Sequence, residues 1–259
     1  MIILAALQMQ SRDADVAANL ARVEAAARDA AKAGASLLVT PELCLTGYGA
    51  GDVITDLAEP ADGPIVQRLQ AISTETGLAI IAGFAERDGA AVFNSAVHVD
   101  GEAMPTVYRK SHLYGDYERG LFKAGTPEAK LFTHRGVICG MLICYDVEFP
   151  ENVRRLAQAG AEAVLVPTAL PAGWSGTFIT DHMIQTRAFE NQVFVAYINH
   201  CGADARFTFA GSSRIAAPDG SLLASAGSHG EHLMIAEIRP EHFVISKAEN
   251  TYLADVNRA

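Results

Sequence analysis

The residue with the clearest capacity for chemistry is a cysteine, Cys144, in the segment GMLICYDVEFPE that runs from Gly140 to Glu151. The pattern predicts a buried strand that ends at this cysteine and a helix that begins within a few residues. A thiol at such an elbow lies near backbone N–H groups and a helix N-terminus, which favours the thiolate and supplies donors for an oxyanion. Cys144 is therefore a candidate nucleophile. Most free cysteines are core residues, however, and the local pattern leaves that interpretation open, as it does more strongly for Cys139 in mid-strand.

Three charged residues are candidates to assist this cysteine. Glu42 follows an apolar strand, and burial there would raise its pKa towards the range of a general base. Lys110 leaves a strand and enters a loop, where it is placed to stabilise an oxyanion, and Glu118 in the same loop would keep it oriented and charged. Each of these residues, taken alone, also fits an ordinary solvated loop charge. Eight histidines leave a Cys–His pair open, but His112 beside Lys110 is expected to be structural.

Alternating strands and helices must position these residues. The pattern predicts strands at 2–7, 36–40, 78–85, 91–99, 103–109, 137–143, 163–166, 193–199 and 233–238, with short strands around 218–220. Helices are predicted at 14–33, 64–76, 151–158 and 178–191. Asp100-Gly101 predicts a hairpin turn, residues 110–125 a polar and aromatic loop, and the tail from Arg239 has no strong period. This mixture of βα units and hairpins predicts an α/β protein with mixed sheets covered by helices, in a single domain over 1–259.

The composition excludes several classes of function. Half of the 259 residues are apolar, which suffices for a sizeable core, and 20 Lys+Arg against 30 Asp+Glu give a formal net charge of −10, so we expect no nucleic-acid binding. The four cysteines match neither a zinc pattern nor a disulfide scaffold, which favours reduced thiols in a cytoplasmic protein. The apolar opening segment is interrupted by Gln8 and predicts a strand rather than a signal peptide, and no apolar run is long enough to cross a bilayer.

Taken as a whole, the sequence resembles the nitrilase superfamily, the carbon–nitrogen hydrolases. The resemblance covers nearly the whole chain and rests on the order and spacing of short motifs more than on any one of them. These are Gln8, Pro41-Glu42, Thr46-Gly47-Tyr48, Tyr108-Arg109-Lys110, Glu118, Ile143-Cys144-Tyr145-Asp146, Phe149-Pro150-Glu151, the RAFEN segment at 187–191, Asn199, Gly211-Ser212-Ser213 and Pro218-Asp219-Gly220.

The resemblance implies a fold, a mechanism and an assembly. It implies a four-layer α-β-β-α sandwich, a catalytic triad of Glu42, Lys110 and Cys144 supported by Glu118, and an oxyanion held by Lys110 and the backbone N–H of Tyr145. It implies no metal and no organic cofactor, and structural or interface roles for Arg187, Glu190 and Asn191. Family members usually form homodimers or larger homo-oligomers, and tails such as the one after Arg239 often cross to the other subunit.

Within this family the residues after the cysteine favour an amidase acting on a small carboxamide. Cys144-Tyr145-Asp146 resembles the amidase branches, whereas nitrilases more often carry Trp-Glu after the cysteine. A nitrilase, an ω-amidase, an N-carbamoyl amide hydrolase and a glutaminase subunit that feeds ammonia to a partner enzyme remain alternatives. An inactive binding relative is a further alternative, against which the intact Glu42, Lys110, Glu118 and Cys144 argue. Residues predicted to bind substrate are Tyr48, Tyr117, Tyr145, Thr168, Ala169 and Trp174.

A departure from the pattern of some relatives suggests the charge of the substrate. Relatives that act on N-carbamoyl amino acids or dicarboxylic acid monoamides commonly carry an arginine shortly after the cysteine, which can pair with a substrate carboxylate. Here the segment from Cys144 to Phe149 has no arginine and contains Glu148. We therefore expect a carboxamide that is neutral or carries an amine. The expectation fails if Arg119 or Arg206 replaces the missing partner, and it has no basis if Glu148 points away and pairs with Arg154 or Arg155.

Overall fold

Two mixed β-sheets of six strands each form the centre of the structure, a computed structural model that describes residues 1–256. The strands are β1 (Ile2–Gln8), β2 (Leu37–Val39), β3 (Ala79–Asp88), β4 (Ala91–Val99), β5 (Thr106–Arg109), β6 (Leu131–His134), β7 (Val137–Met141), β8 (Ala163–Thr168), β9 (Phe194–Asn199), β10 (Arg214–Ala216), β11 (Leu222–Ser225) and β12 (His232–Ile238). The first sheet has the order β12-β1-β2-β3-β4-β5 and the second the order β11-β10-β9-β8-β7-β6. Parallel pairs in the middle of each sheet give way to antiparallel pairs at its edges, so the prediction of mixed sheets is confirmed.

Helices cover the outer face of each sheet. They are α1 (Val16–Lys32), α2 (Val53–Asp56), α3 (Pro64–Thr76), α4 (Gly115–Leu121), α5 (Pro150–Gln158), α6 (Trp174–Phe178), α7 (Ile184–Asn191), α8 (Val244–Glu249) and α9 (Tyr252–Val256). Single 3₁₀ turns occupy Tyr48–Ala50, Cys144–Glu148 and Pro240–Phe243, and a π-helical turn at Ile179–Met183 joins α6 to α7. No helix within residues 1–256 combines the length and the apolar character needed to cross a membrane.

The alternation of side chains along the strands produces the four layers. Leu38 and Ile80 point outward and pack against Val23 of α1 and Leu69 of α3, in one continuous apolar cluster. The neighbouring residues of these strands point the other way, where they meet the inner face of the second sheet in a larger cluster that also includes the buried faces of α5 and α7. The four-layer α-β-β-α arrangement predicted from the resemblance is confirmed.

Most predicted elements are present, but two of the helices differ from the prediction. Residues 115–121, predicted as loop, form α4, because the Glu118 carboxylate accepts the Tyr114 N–H at 2.8 Å and so satisfies a free donor at the start of the helix. The helix predicted from residue 178 begins four residues earlier, at Trp174. Gly176 is required there, since a Cβ would lie 2.5 Å from the Pro171 carbonyl oxygen.

The tail after Arg239 forms short helical turns and packs on its own chain. Phe243 lies edge-on to Phe194 with ring centroids 5.2 Å apart, and Tyr252 packs on Phe189 in the same way at 5.9 Å. Val244 and Ile245, between these anchors, are 60 % and 69 % exposed. The tail therefore presents apolar side chains to solvent while its aromatic residues hold it to the second helical layer.

Candidate active site

The ends of several strands place charged residues together between the two sheets. Glu42 follows β2, Lys110 follows β5 and Glu118 lies on α4. The Lys110 ammonium donates to Oε1 of Glu42 and to Oε1 of Glu118, at 2.6 Å in each case, and all three side chains are completely buried. Burial opposes the charge of Lys110, but the carboxylates of Glu118 and Glu42 outweigh it and raise the pKa of Lys110 well above its usual range. The lysine is therefore a permanent cation inside the protein.

Glu42 has one carboxylate oxygen committed to hydrogen bonds and one without a partner. Its Oε1 accepts from Lys110 and from the Asn94 amide at 2.7 Å, whereas Oε2 is buried and has no partner among the described residues. Burial, reinforced by the charge of Glu118, raises the pKa of Glu42 to about 7 against the opposing effect of Lys110. A carboxyl group with a free oxygen and such a pKa is suited to accept and release a proton near neutral pH.

A close approach of the backbone fixes this glutamate. Strand β3 crosses the Glu42 segment so tightly that a Cβ on Gly83 would lie 2.3 Å from the Leu43 nitrogen. Leu43 itself adopts φ +46°, which an L-residue rarely does, and the Glu42 carbonyl accepts a bond from Nε2 of His200 at 2.6 Å. Glycine at position 83 is thus a requirement for placing the carboxylate.

Cys144 begins the 3₁₀ turn that follows β7, as the sequence predicted for the elbow. Cys144 adopts φ +43° and is 5 % exposed. Burial and the charge of Glu42 raise the pKa of the Cys144 thiol well above its usual range, although Lys110 and the backbone of Ala169 act in the opposite direction. The expectation that the elbow favours a thiolate is therefore wrong for the free protein, and the thiol needs a base to lose its proton.

Asp146 ties the turn of Cys144 to the segment of Lys110. Its carboxylate accepts from the Tyr108 hydroxyl at 2.9 Å, the Ser111 hydroxyl at 2.7 Å and the His112 N–H at 2.8 Å. The His112 ring also contacts this carboxylate through Nδ1 at 3.0 Å and stacks on Phe149, which agrees with the structural role expected for it. The network fixes the position of the thiol relative to the lysine.

The other side of the same turn is held by an arginine. Arg187 of α7 donates to the carbonyl oxygens of Val147 at 2.9 Å and Glu148 at 2.7 Å, and it pairs with Glu190 at 3.0 Å. Arg187 thus binds the backbone of the turn.

A cavity of about 450 Å³ opens at Cys144. Its lining includes Tyr145, Glu148, Leu170, Trp174 and Ile179. Trp174 is 80 % exposed and stacks on Phe178 at 5.7 Å, so it forms an outer wall of this cavity. Burial raises the pKa of Glu148 to about 7 against the opposing charges of Lys110 and Arg187.

The remaining residues predicted to bind substrate lie in the layers around the cavity and do not line it. Tyr48 is buried, and its hydroxyl donates to Oε1 of Glu118 at 2.8 Å. Tyr117 donates to the Tyr48 carbonyl at 2.6 Å and packs against Phe207. Thr168 is buried at the end of β8, and Ala169, which follows it, is buried next to the sulfur of Cys144. The two tyrosines thus support Glu118 rather than a ligand in this cavity.

Comparison with known proteins places the chain in a family. Residues 3–243 match the carbon–nitrogen hydrolase family. The chain belongs to this family, the nitrilase superfamily. A relative from Pseudomonas protegens, named "Hydrolase in pqqF 5'region", is 44 % identical over 97 % of this chain and 88 % of its own length. An (R)-stereoselective amidase of a Pseudomonas species is 36 % identical over 96 % of this chain and 89 % of its own.

Solved structures of carbon–nitrogen hydrolases share the fold. A cysteine-to-serine variant of the Nesterenkonia AN1 amidase superposes with a TM-score of 0.88 at 31 % identity, over 98 % of this chain and 94 % of that one. Matches at 29–32 % identity also include a nitrilase and N-carbamoylputrescine amidases. The family and the fold are therefore established, whereas the names of the relatives cover more than one substrate.

Three residues of this carbon–nitrogen hydrolase site had no role assigned from the sequence. Asn94 and Tyr197 lie in mid-strand among apolar residues, and Asp146 was noted only as part of a motif. Tyr197 is fully buried, and burial together with the charges of Cys144 and Glu148 raises its pKa well above the usual range. No described residue meets hydrogen-bond geometry with its hydroxyl. The sequence signal that could have identified Asn94 and Tyr197 is a polar side chain in the middle of a strand that is otherwise predicted to be buried.

Proposed function

We propose that the chain is an amidase that hydrolyses the C–N bond of a small carboxamide to an acid and ammonia through a thioester on Cys144. The observation that carries the proposal is the Lys110 ammonium, buried and held at 2.6 Å from both Glu42 and Glu118, beside a thiol that lines a cavity. Burial of a cation has a desolvation cost that the two carboxylates offset here, and a cation held in this way is placed to stabilise an oxyanion.

In the first half of the proposed reaction, Glu42 removes the proton from Cys144 as the sulfur attacks the amide carbon. A base is needed because the pKa of the thiol is raised, and the unpartnered Oε2 of Glu42 is free to accept the proton. Lys110 and the backbone N–H of Tyr145 hold the oxyanion, and a donor of this kind is worth roughly 3–4 kcal/mol in the transition state. Glu42 then returns the proton to the leaving nitrogen, the C–N bond breaks, and ammonia departs.

In the second half, water hydrolyses the thioester. Glu42 takes a proton from water as the oxygen attacks the carbonyl carbon, and the same donors hold the second oxyanion. The C–S bond breaks, the sulfur recovers its proton from Glu42, and the acid leaves. In both halves Glu118 keeps Lys110 oriented and charged, with its own position fixed by the Tyr48 hydroxyl and the Tyr114 N–H.

The substrate we propose is a small amide with an apolar body. A cavity of about 450 Å³ with Leu170, Ile179 and Trp174 in its walls suits such a body, and Tyr145 lines the same cavity next to Cys144. A cysteine-to-alanine variant of the similar Nesterenkonia amidase has been crystallised with butyramide, and in a glutamate-to-glutamine variant the acetamide moiety of fluoroacetamide is added covalently to the active-site cysteine. Both compounds carry an uncharged body.

Release of ammonia from matched compounds separates this proposal from its alternatives. The panel contains butyramide, butyronitrile, glutamine, an ω-monoamide of a dicarboxylic acid and an N-carbamoyl amine. We expect the highest kcat/KM for butyramide. Preference for the nitrile, for an anionic amide or for the carbamoyl compound would replace the amidase proposal, and no turnover of any compound would favour an inactive relative. Activity on glutamine that requires a partner protein would indicate a glutaminase subunit.

We also propose that the active unit is a homodimer or larger homo-oligomer in the cytoplasm. The exposed Val244 and Ile245 give the tail an apolar surface for a second subunit, and four free cysteines, one of them the proposed nucleophile, suit a reducing compartment. Sedimentation at micromolar concentration should show no monomer, and a stable, active monomer would contradict this assembly.

A further inference from the structure

Two histidines and an aspartate from separate elements meet near the edges of both sheets. His98 lies near the end of β4, Asp100 in the turn that follows, and His134 at the end of β6 in the other sheet. One potential ligand atom from each lies within 4.8 Å of the other two. The His98 ring also stacks on Phe132 of β6, with centroids 3.8 Å apart. The cluster therefore joins the two sheets through side chains of types that bind metal ions.

The His98 ring carries a nitrogen that the protein leaves without a partner. His98 is 7 % exposed, and its Nε2 is buried with no hydrogen-bond partner among the described residues. Buried polar groups in folded proteins are nearly always paired, so this nitrogen needs an explanation. A bound cation supplies one.

We propose that His98, Asp100 and His134 bind one divalent ion of the zinc class. Nδ1 of His134 and Oδ2 of Asp100 are 3.4 Å apart, and two tetrahedral ligands at about 2.0–2.1 Å from zinc are separated by about 3.3–3.4 Å. Imidazole and carboxylate ligands suit zinc, cobalt and nickel. Since Asp100 is half exposed, water has access to the fourth position.

The proposed ion has a structural role and is separate from the hydrolytic site. His134 pairs with Val137, the first residue of β7, whereas Cys144 follows the other end of that strand. On the first sheet, His98 lies four residues along β4 from Asn94, the partner of Glu42. An ion at this position would link β4 of one sheet to β6 of the other.

Zinc binding to the chelator-treated full chain tests the proposal. The titration uses ZnCl₂ with calorimetric detection on the Cys144→Ala variant, which removes the reactive thiol as a competing ligand. We expect one ion per chain and a rise in the thermal unfolding midpoint when zinc is added. The same protein should show the visible absorption of tetrahedral cobalt when CoCl₂ replaces zinc.

Substitutions of the proposed ligands test their roles, beginning with Asp100 in the exposed turn. Asp100→Asn should weaken zinc binding at least about 10-fold, as even outer-shell changes do in metal sites, and abolish the zinc-dependent rise in the unfolding midpoint. Asp62→Asn removes the same charge from another exposed loop position and should change neither. His134→Gln is a second variant that keeps the shape of the side chain and should match Asp100→Asn.

Two results would overturn the proposal. One is no saturable zinc binding to the Cys144→Ala protein, and the other is an equal zinc affinity when Asp100→Asn is added to that protein. Ammonia release by the unsubstituted chain should be the same before and after chelator treatment. The amidase proposal and the metal proposal can therefore fail independently.

Discussion

The buried charge cluster and the outer wall of the cavity are built in opposite ways. Glu42, Lys110 and Glu118 have no exposed side-chain surface and are joined by short charge-assisted hydrogen bonds. The wall carries Trp174, which is 80 % exposed and follows Gly173 at φ +140°. Groups proposed to perform the reaction are thus fixed by their surroundings, whereas Trp174, proposed to meet the body of the substrate, lies near solvent. We expect changes in the first region to affect the rate constant and changes in the second to affect the choice of substrate.

The largest expected effect comes from Cys144→Ala. Removing the nucleophile should lower kcat by roughly 10⁴-fold or more, because no thioester can form. Alanine is small enough for the site, so the unfolding midpoint should change little. Ammonia release from butyramide measures the activity, and turnover that survives the substitution would remove the central claim.

Alkylation identifies the same residue independently. Iodoacetamide should modify Cys144, which lines the cavity, and leave Cys139, which is buried in β7 where burial raises its pKa to about 12. Mass spectrometry of peptides locates the modification. Modification of Cys139 at a comparable rate would show that the accessibility of the cavity has been misjudged.

A smaller but still severe loss is expected for either glutamate of the cluster, with a difference between them. Glu42→Gln and Glu118→Gln should each lower kcat by about 10²–10⁴-fold, because one removes the base and the other the partner that orients Lys110. Only Glu42→Gln should also lower the rate of alkylation of Cys144, since this base assists the buried thiol. Equal suppression by Glu118→Gln would mean that the two roles have been assigned the wrong way round.

The structure brings these four residues together, which the sequence could predict for a physical reason, while their catalytic roles stay a prediction. Glu42 and Lys110 follow strands of the first sheet, Cys144 follows a strand of the second, and the inner faces of the two sheets pack on each other. The sequence could not predict that the Cys144 thiol is protonated. Its raised pKa depends on burial in the folded protein and on the charge of Glu42, which is about a hundred positions away in the chain. Tyr197 and Asn94 could not be predicted either, since a polar residue in mid-strand has no local signal for the residue it faces.

The acid side of the pH profile tests the state of Glu42. Its pKa of about 7 in the free protein means that the base is protonated, and therefore inactive, at lower pH. We expect kcat/KM for butyramide to fall about 10-fold per unit below pH 7 and to level off above it. The raised pKa values of Cys144 and Lys110 keep both groups protonated, so the plateau should extend well into alkaline pH. The decrease of kcat/KM below pH 7 should persist in Glu148→Gln, which removes the other carboxyl group with a pKa of about 7. If the decrease is lost in that variant, it reports the ionisation of Glu148 and not that of Glu42.

The smallest expected effect concerns the charge of the substrate and rests on Glu148. This residue lines the cavity with Cys144, and no ion pair joins it to Arg154 or Arg155 among the described residues. The two candidate replacements for the missing arginine are also elsewhere, since Arg119 contacts Asp116 and Arg206 lies over the ring of Tyr117. A carboxylate on the distal end of an amide would therefore meet a carboxylate in the cavity and no cation in its lining.

Matched amides that differ only in a distal carboxylate, methyl or ammonium group measure this effect as a ratio of kcat/KM. At pH 8, where Glu148 is ionised, we expect the methyl and ammonium compounds to exceed the carboxylate by about 10-fold, which corresponds to about 1.4 kcal/mol. The ratio should shrink at pH 6, where Glu148 is largely protonated, and should disappear in Glu148→Gln at both pH values. Glu102→Gln, at an exposed turn, removes the same charge elsewhere and should leave the ratio intact. A clear preference for the carboxylate in the unsubstituted protein would contradict the assignment and would mean that a cation from outside the cavity lining reaches the substrate.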